Sequence, residues 1–194
     1  MTTTTKILLM FGAIFFLFAG YLFVQQLGPP KHPHEHPEEE ETVKEAESPQ
    51  SELDRRILDL RTRLQMDPQD FNLLMALGHA YLEARKFDNA VEIFELALIV
   101  NPESAEALVD LGIALREGNN PLEGKAKLEE AVQKFPTYAD GWLQLGVTYR
   151  YFLKNNQEAL RCFQEFLKLQ KTGSLVSQIR DEVSKIKAEL AQQN

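Results

Sequence analysis

The chain has 194 residues, a formal charge of -8, 44% apolar residues and 26% charged residues. The length fits one domain with accessory segments, and the acidic balance argues against a nucleic-acid binder, which needs a basic face. A lone cysteine, Cys162, excludes an internal disulfide, a multi-cysteine zinc site and a CxxCH haem attachment.

The chain opens with a short polar head, residues 1–6. The run from Ile7 to Val24 then holds no charge, Asn or Gln. As a helix this run spans about 27 Å, close to the hydrocarbon thickness of a bilayer. It is longer than a signal-peptide core, and no A-x-A-like cleavage site follows it. The expectation is an uncleaved, single-pass transmembrane anchor at 7–24. Lys6 and the polar head are expected in the cytoplasm, which places the rest of a bacterial inner-membrane protein in the periplasm.

Residues 25–50 differ in kind. Pro29, Pro30, Pro33, Pro37 and Pro49 fall here, and positions 29–50 hold two lysines against seven glutamates. Low hydrophobicity and like charges prevent a core, and the prolines favour extended chain. The segment reads as a tether. His32, His34 and His36 alternate within it, and histidine-rich tracts bind metal weakly. Without a preformed pocket no metal site is expected there.

Residues 51–194 repeat internally at a fixed step. Pro68, Pro102 and Pro136 keep the step, as do Leu77 with Gly78, Leu111 with Gly112 and Leu145 with Gly146. Leu74, Leu108 and Trp142 follow it, then Tyr81, Leu115 and Tyr149. Within one unit Leu74, Leu77, Gly78 and Tyr81 lie on one face of a first helix. Ala90, Phe94 and Ala97 form the answering stripe of a second helix. Gly78 lets the two approach, and the prolines end each pair. Ser51, Asp88, Asn120 and Asn156 are expected helix caps, with Pro121 in the first helical position. Gly118 is the expected left-handed residue after its helix. Cys162 reads as a small buried apolar residue.

These residues resemble the tetratricopeptide repeat, a helix–turn–helix unit of about 34 residues. The resemblance implies an all-α, right-handed superhelix of about three units at 71–104, 105–138 and 139–171, within a domain at 51–194. The third unit departs from the pattern. Its interval from Gly146 to Ala159 is one longer than the matching intervals Gly78 to Ala90 and Gly112 to Gly124. Phe166 replaces a small residue, and no proline closes the unit. The extra residue is expected in the turn around Lys154–Asn156. Leu53, Ile57, Leu60 and Leu64 mark a flanking N-terminal helix. Val176, Ile179, Val183, Ile186 and Leu190 mark a helix at 174–192, with Ser174 as its cap. Both helices are expected to cover the ends of the stack, as solenoids require. The 3,4 spacing also suits a dimer seam, which is the less favoured use.

No catalytic motif appears: GxGxxG, P-loop, HExxH and GxSxG are all missing. His79 has no second histidine or cysteine beside it in sequence. The chain is expected to be neither an enzyme nor a holder of a cofactor or metal. Repeats of this type bind proteins along the non-core face of their first helices. The expected groove residues are Asn72, Met75, His79 and Leu82, then Glu106, Val109, Ile113 and Arg116, then Asp140, Leu143, Val147 and Arg150. Met75, Val109 and Leu143 would form an apolar floor with polar ends, suited to an apolar or amphipathic segment of a protein client. The alternative is that a neighbouring helix of the same chain covers these residues. The plan of anchor, tether, helix, repeats and terminal helix also resembles repeat subunits of bacterial cytochrome c haem-attachment systems. That resemblance implies a chaperone that holds unfolded apocytochrome.

Overall fold

Three consecutive helix pairs start at residues 71, 105 and 139 in the structure, a computed structural model that describes residues 49–192. In chain order the helices are α1 (Pro49–Met66), α2 (Phe71–Glu83), α3 (Phe87–Val100), α4 (Ala105–Glu117), α5 (Pro121–Lys134), α6 (Ala139–Val147), α7 (Asn156–Leu169) and α8 (Ser174–Gln192). A π-helical turn, Thr148–Phe152, continues α6. Among the described residues there is no strand. The head, the apolar run 7–24, the tether up to residue 48 and the three tether histidines lie outside the described residues. No helix of the described residues is long and apolar enough to cross a membrane.

Each pair closes over one bulky side chain set against a glycine. Phe94 and Phe163 are fully buried. A Cβ on Gly78 would stand 2.5 Å from the Phe94 ring, and one on Gly146 would stand 2.6 Å from the Phe163 ring. The middle pair packs backbone against backbone. A Cβ on Gly124 would meet the Gly112 carbonyl oxygen at 2.6 Å and the Arg116 backbone nitrogen at 2.8 Å. Backbone cannot yield as a flexible side chain can, so this crossing requires glycine. Ala90, Ala97, Ala131 and Ala159, all buried, keep the other crossings tight.

Two apolar clusters result, and α4 belongs to both. Ala107, Leu111 and Ala114 join the cluster of α1–α3, while Leu108 and Val109 join that of α5–α8. One helix thus feeds two layers, and the stack is continuous through it. At the near end Ile57 and Leu60 of α1 are buried against α2, and ion pairs from Arg56 to Glu83 (3.2 Å) and Lys86 to Asp54 (3.0 Å) pin its exposed side.

The extra residue of the third pair sits elsewhere than its sequence position implies. Arg85, Asn119 and Lys154 all take positive φ, at 55°, 68° and 56°. They are equivalent turn residues, and Lys154 comes one position later than the period of the first two requires. The insertion therefore precedes Lys154. It is absorbed as the π-helical turn, where the Leu153 N–H reaches the Thr148 carbonyl at 3.0 Å. A single-residue insertion in a helix becomes a π-bulge because the wider ring keeps the flanking turns in phase.

The capping residues also differ in part. Asn120 caps α5 as expected, accepting from the Glu123 N–H, and Pro121 starts the helix. Asp70, Ser104 and Asn155 cap α2, α4 and α7. Asp88 lies inside the first turn of α3, and Asn156 is one residue past its cap. Gly118 has φ −76°, and the left-handed place falls to Asn119. Helix α1 begins at Pro49, two positions before Ser51. Gly173, at φ +115°, precedes Ser174, and its carbonyl accepts the first helical bond of α8.

Helix α8 occupies the place where the first helix of a fourth unit would start. Val176, Ile179, Val183 and Ile186 are buried against the third pair, with Phe166 in the same cluster. The apolar stripe that also suits a dimer seam is thus used within the chain. Arg150 locks the helix down. Its Nε donates to Glu182 at 2.8 Å, and its two terminal nitrogens donate to Glu189 at 2.6 and 2.7 Å.

Candidate functional site

The face shared by α2, α4 and α6 is built from three rows that follow the repeat period. Asn72, Glu106 and Asp140 form the first. Ala76, Asp110 and Gln144 form the second. His79, Ile113 and Val147 form the third. Each helix presents these residues because i, i+4 and i+7 lie on one side of it.

The expected apolar floor is not on this face. Met75, Val109 and Leu143 are 6%, 1% and 7% exposed and belong to the core clusters. The reason is the tight approach of successive first helices. A Cβ on Gly141 of α6 would already stand 3.6 Å from Val109 of α4 and 3.2 Å from Val132 of α5. Ile113 and Val147 are half-buried and pack on the core, and Leu82 does the same in the first cluster.

Two further groove residues turn out to be staples between units. Arg116 is 6% exposed. Its Nη1 donates to the Gln144 side chain and to Thr148 Oγ1, both at 3.3 Å, and Glu117 pairs with its other terminal nitrogen at 3.0 Å. Arg150, one unit later, reaches Glu182 at the same sequence separation as Arg116 reaches Thr148. The two arginines hold neighbouring first helices together, and neither is free to meet a partner.

What remains accessible is polar and acidic. Asn72 and Glu106 are exposed, while His79, Asp110 and Asp140 are half-buried. His79 Nε2 lies 2.7 Å from Asp110 Oδ2, which joins α2 to α4. That hydrogen bond raises the His79 pKa, against burial, which lowers it. Burial raises the Asp140 carboxyl, the Gln144 amide (3.4 Å) opposes this, and the Asp110 charge pushes it further up. Burial also raises the Tyr138 hydroxyl, with Asp140, Glu106 and Asp110 acting in the same direction. The carboxylates of Glu106 and Asp110 thus face one imidazole, and Asp140 continues the acidic run. Sequence reasoning missed Asp110, Tyr138 and Gln144. The spacing Glu106–Asp110 and Asp140–Gln144, both i+4, was the signal for two of them.

Cys162 is fully buried, and burial pushes its thiol up to about 12. It is held as the neutral thiol, the inert form. A separate cleft of about 570 Å³ lies between α1 and α3, floored by Leu77 and Tyr81. Arg61 and Glu92 bring charge to it, and Gln65 and Asn89 line it as well.

Residues 75–139 and 140–170 match tetratricopeptide-repeat families. Protein O-mannosyl-transferase Tmtc3 of Drosophila melanogaster is 26% identical over 104 residues. The match takes in 54% of this chain but only 11% of that protein. Among solved structures, a thermophilic TPR protein of Thermus thermophilus superposes with a TM-score of 0.59 at 19% identity, covering 71% of this chain and 74% of that one. The crystal structure of MamA superposes at 0.56 with 17% identity, covering 76% and 97%. At these identities the likeness is one of fold. The chain carries tetratricopeptide repeats in an all-helical superhelical arrangement, a scaffold that typically serves protein–protein interaction rather than catalysis.

Proposed function

We propose, from a stack of tetratricopeptide repeats whose first helices share an accessible polar face, that the protein is a membrane-anchored adaptor that binds a protein partner along α2, α4 and α6. The apolar run 7–24 supports the anchor, with the repeats held off the membrane on the periplasmic side by the tether. The observation that carries the binding reading is the run of carboxylates Glu106, Asp110 and Asp140 along the accessible side of α4 and α6. Because the apolar row is buried, the partner segment is one that offers cationic side chains beside an apolar stripe for Ile113 and Val147. Charge complementarity of this kind sets specificity and association rate.

A second reading, an apoprotein-holding subunit of cytochrome c haem attachment, rests on the plan of anchor, tether, repeats and terminal helix. The two readings part on the state of the client, folded in the first and unfolded in the second. The test uses the full chain in membranes. Wild type is expected in the membrane fraction, and Glu106→Lys is expected to weaken partner binding tenfold or more, about 1.4 kcal/mol. Glu106 is exposed in the first turn of α4, so the reversal should lower stability only by about the 1 kcal/mol that a helix-end charge is worth. Unchanged affinity would remove the groove from the account, and a soluble form beginning near residue 20–30 would remove the anchor.

A further inference from the structure

Three potential metal donors meet where the first two repeats join. His79 Nε2 and one carboxylate oxygen each from Glu106 and Asp110 all lie within 4.8 Å of one another. Glu106 and Asp110 stand one turn apart on α4, and His79 faces them from α2. The imidazole is already placed: its ring meets the fully buried Phe94 edge-on at 5.6 Å, and its Nε2 is 2.7 Å from Asp110 Oδ2. Glu106 is exposed, so its side chain has room to swing inward.

We propose that His79, Glu106 and Asp110 form a binding site for a divalent transition-metal ion of the zinc class. Such an ion holds nitrogen and oxygen donors at about 2.0–2.2 Å. Donors on one ion therefore stand about 3–4 Å apart, which the trio reaches by a small rotation of Glu106 and Asp110. The mixed set of one imidazole and two carboxylates suits zinc, cobalt or nickel better than magnesium or calcium, which take oxygen. Two carboxylates and a neutral imidazole balance the ion's charge, and half-exposure leaves room for water to complete the shell. The ion takes the place of the proton between His79 Nε2 and Asp110: an imidazolium loses that proton to solvent, and an imidazole that is already neutral keeps its one proton on Nδ1. Sequence reasoning looked for a second histidine or a cysteine beside His79; the fold supplies carboxylates from the next unit instead.

The site shares Glu106 and Asp110 with the proposed partner-binding face, but zinc binding is read without any partner, so the two proposals can fail separately. The experiment titrates zinc chloride calorimetrically into the full chain in detergent. His32, His34 and His36 are replaced by alanine, because they are the other three histidines. One zinc per chain is expected. His79→Gln and Asp110→Asn should each weaken binding at least tenfold, and zinc should raise the melting temperature of the parent but not of these two. Glu106→Gln, at an exposed position, tests the site without touching the fold and should weaken binding by a smaller factor. Cobalt should give a visible absorption band that His79→Gln abolishes. The inference is overturned if the parent binds no zinc. It is also overturned if the His79→Gln and Asp110→Asn variants, or Glu106→Gln alone, bind as the parent does.

Discussion

Phe163→Ala is expected to lower the unfolding free energy by about 3–5 kcal/mol, the range for emptying a fully buried phenylalanine site. The ring is fully buried and packs where Gly146 carries no side chain. The neighbours collapse poorly into the space, because α6 and α7 are also held by the units on either side of them. The glycine gives the prediction a second, sharper part. Gly146→Ala alone would press a methyl to 2.6 Å from the ring and should cost about 1–3 kcal/mol by overpacking. In the Phe163→Ala background the same methyl enters a cavity, and alanine is the better helix former by about 1 kcal/mol. Gly146→Ala should there be neutral or stabilising. The double-mutant cycle, measured by denaturant titration, reads this change of sign as a coupling. Additive effects would mean that ring and glycine do not meet.

Ile186→Asp is expected to cost at least about 3 kcal/mol, because it buries a charge without a partner. Ile186 is fully buried and lies in the cluster shared with Phe163 and Phe166. The loss should be local. Hydrogen exchange should rise through α7 and α8, and α2–α4 should keep their protection, since stacked repeats couple chiefly to their neighbours. The Arg150 contacts to Glu182 and Glu189 lie at the same junction, so the variant should also free Arg150. A variant that melts like wild type would show that α8 does not cap the stack.

The fold was legible because its determinants are periodic. The fixed step that links Gly78, Gly112 and Gly146 reports backbone crossings, and a crossing repeats whenever the side chains that permit it repeat. The flanking helices were legible for the same reason, through the 3,4 spacing of Val176, Ile179, Val183 and Ile186. The place of the insertion was not legible. Sequence counts residues between Gly146 and Ala159 but does not say which turn absorbs the extra one, and a π-helical turn after α6 leaves no compositional mark.

The candidate site was legible only in part, and the error has a physical cause. A helix in a stack touches two neighbours, its own partner and the first helix of the next unit. Met75, Val109 and Leu143 face that second neighbour, and one-helix periodicity cannot distinguish it from a groove. The same ambiguity put Arg116 and Arg150 on the binding face. Long cationic side chains reach about one unit onward, and here they spend their donors on Gln144, Thr148, Glu182 and Glu189. Asn72, Glu106, His79 and Asp140 remain on the accessible face, and Asp110 joins them through its bond to His79.

Partner binding is proposed on the face of α2, α4 and α6. It is tested most directly by placing a photo-crosslinking side chain at four exposed positions of the full chain in its native membrane: Asn72 and Glu106 on that face, Glu95 of α3 and Gln133 of α5 away from it. Asn72 and Glu106 should capture the same protein, Glu95 and Gln133 should not, and Glu106→Lys should reduce the capture from position 72. Capture from Glu95 or Gln133 in place of the other two, or equal capture from all four, would contradict it.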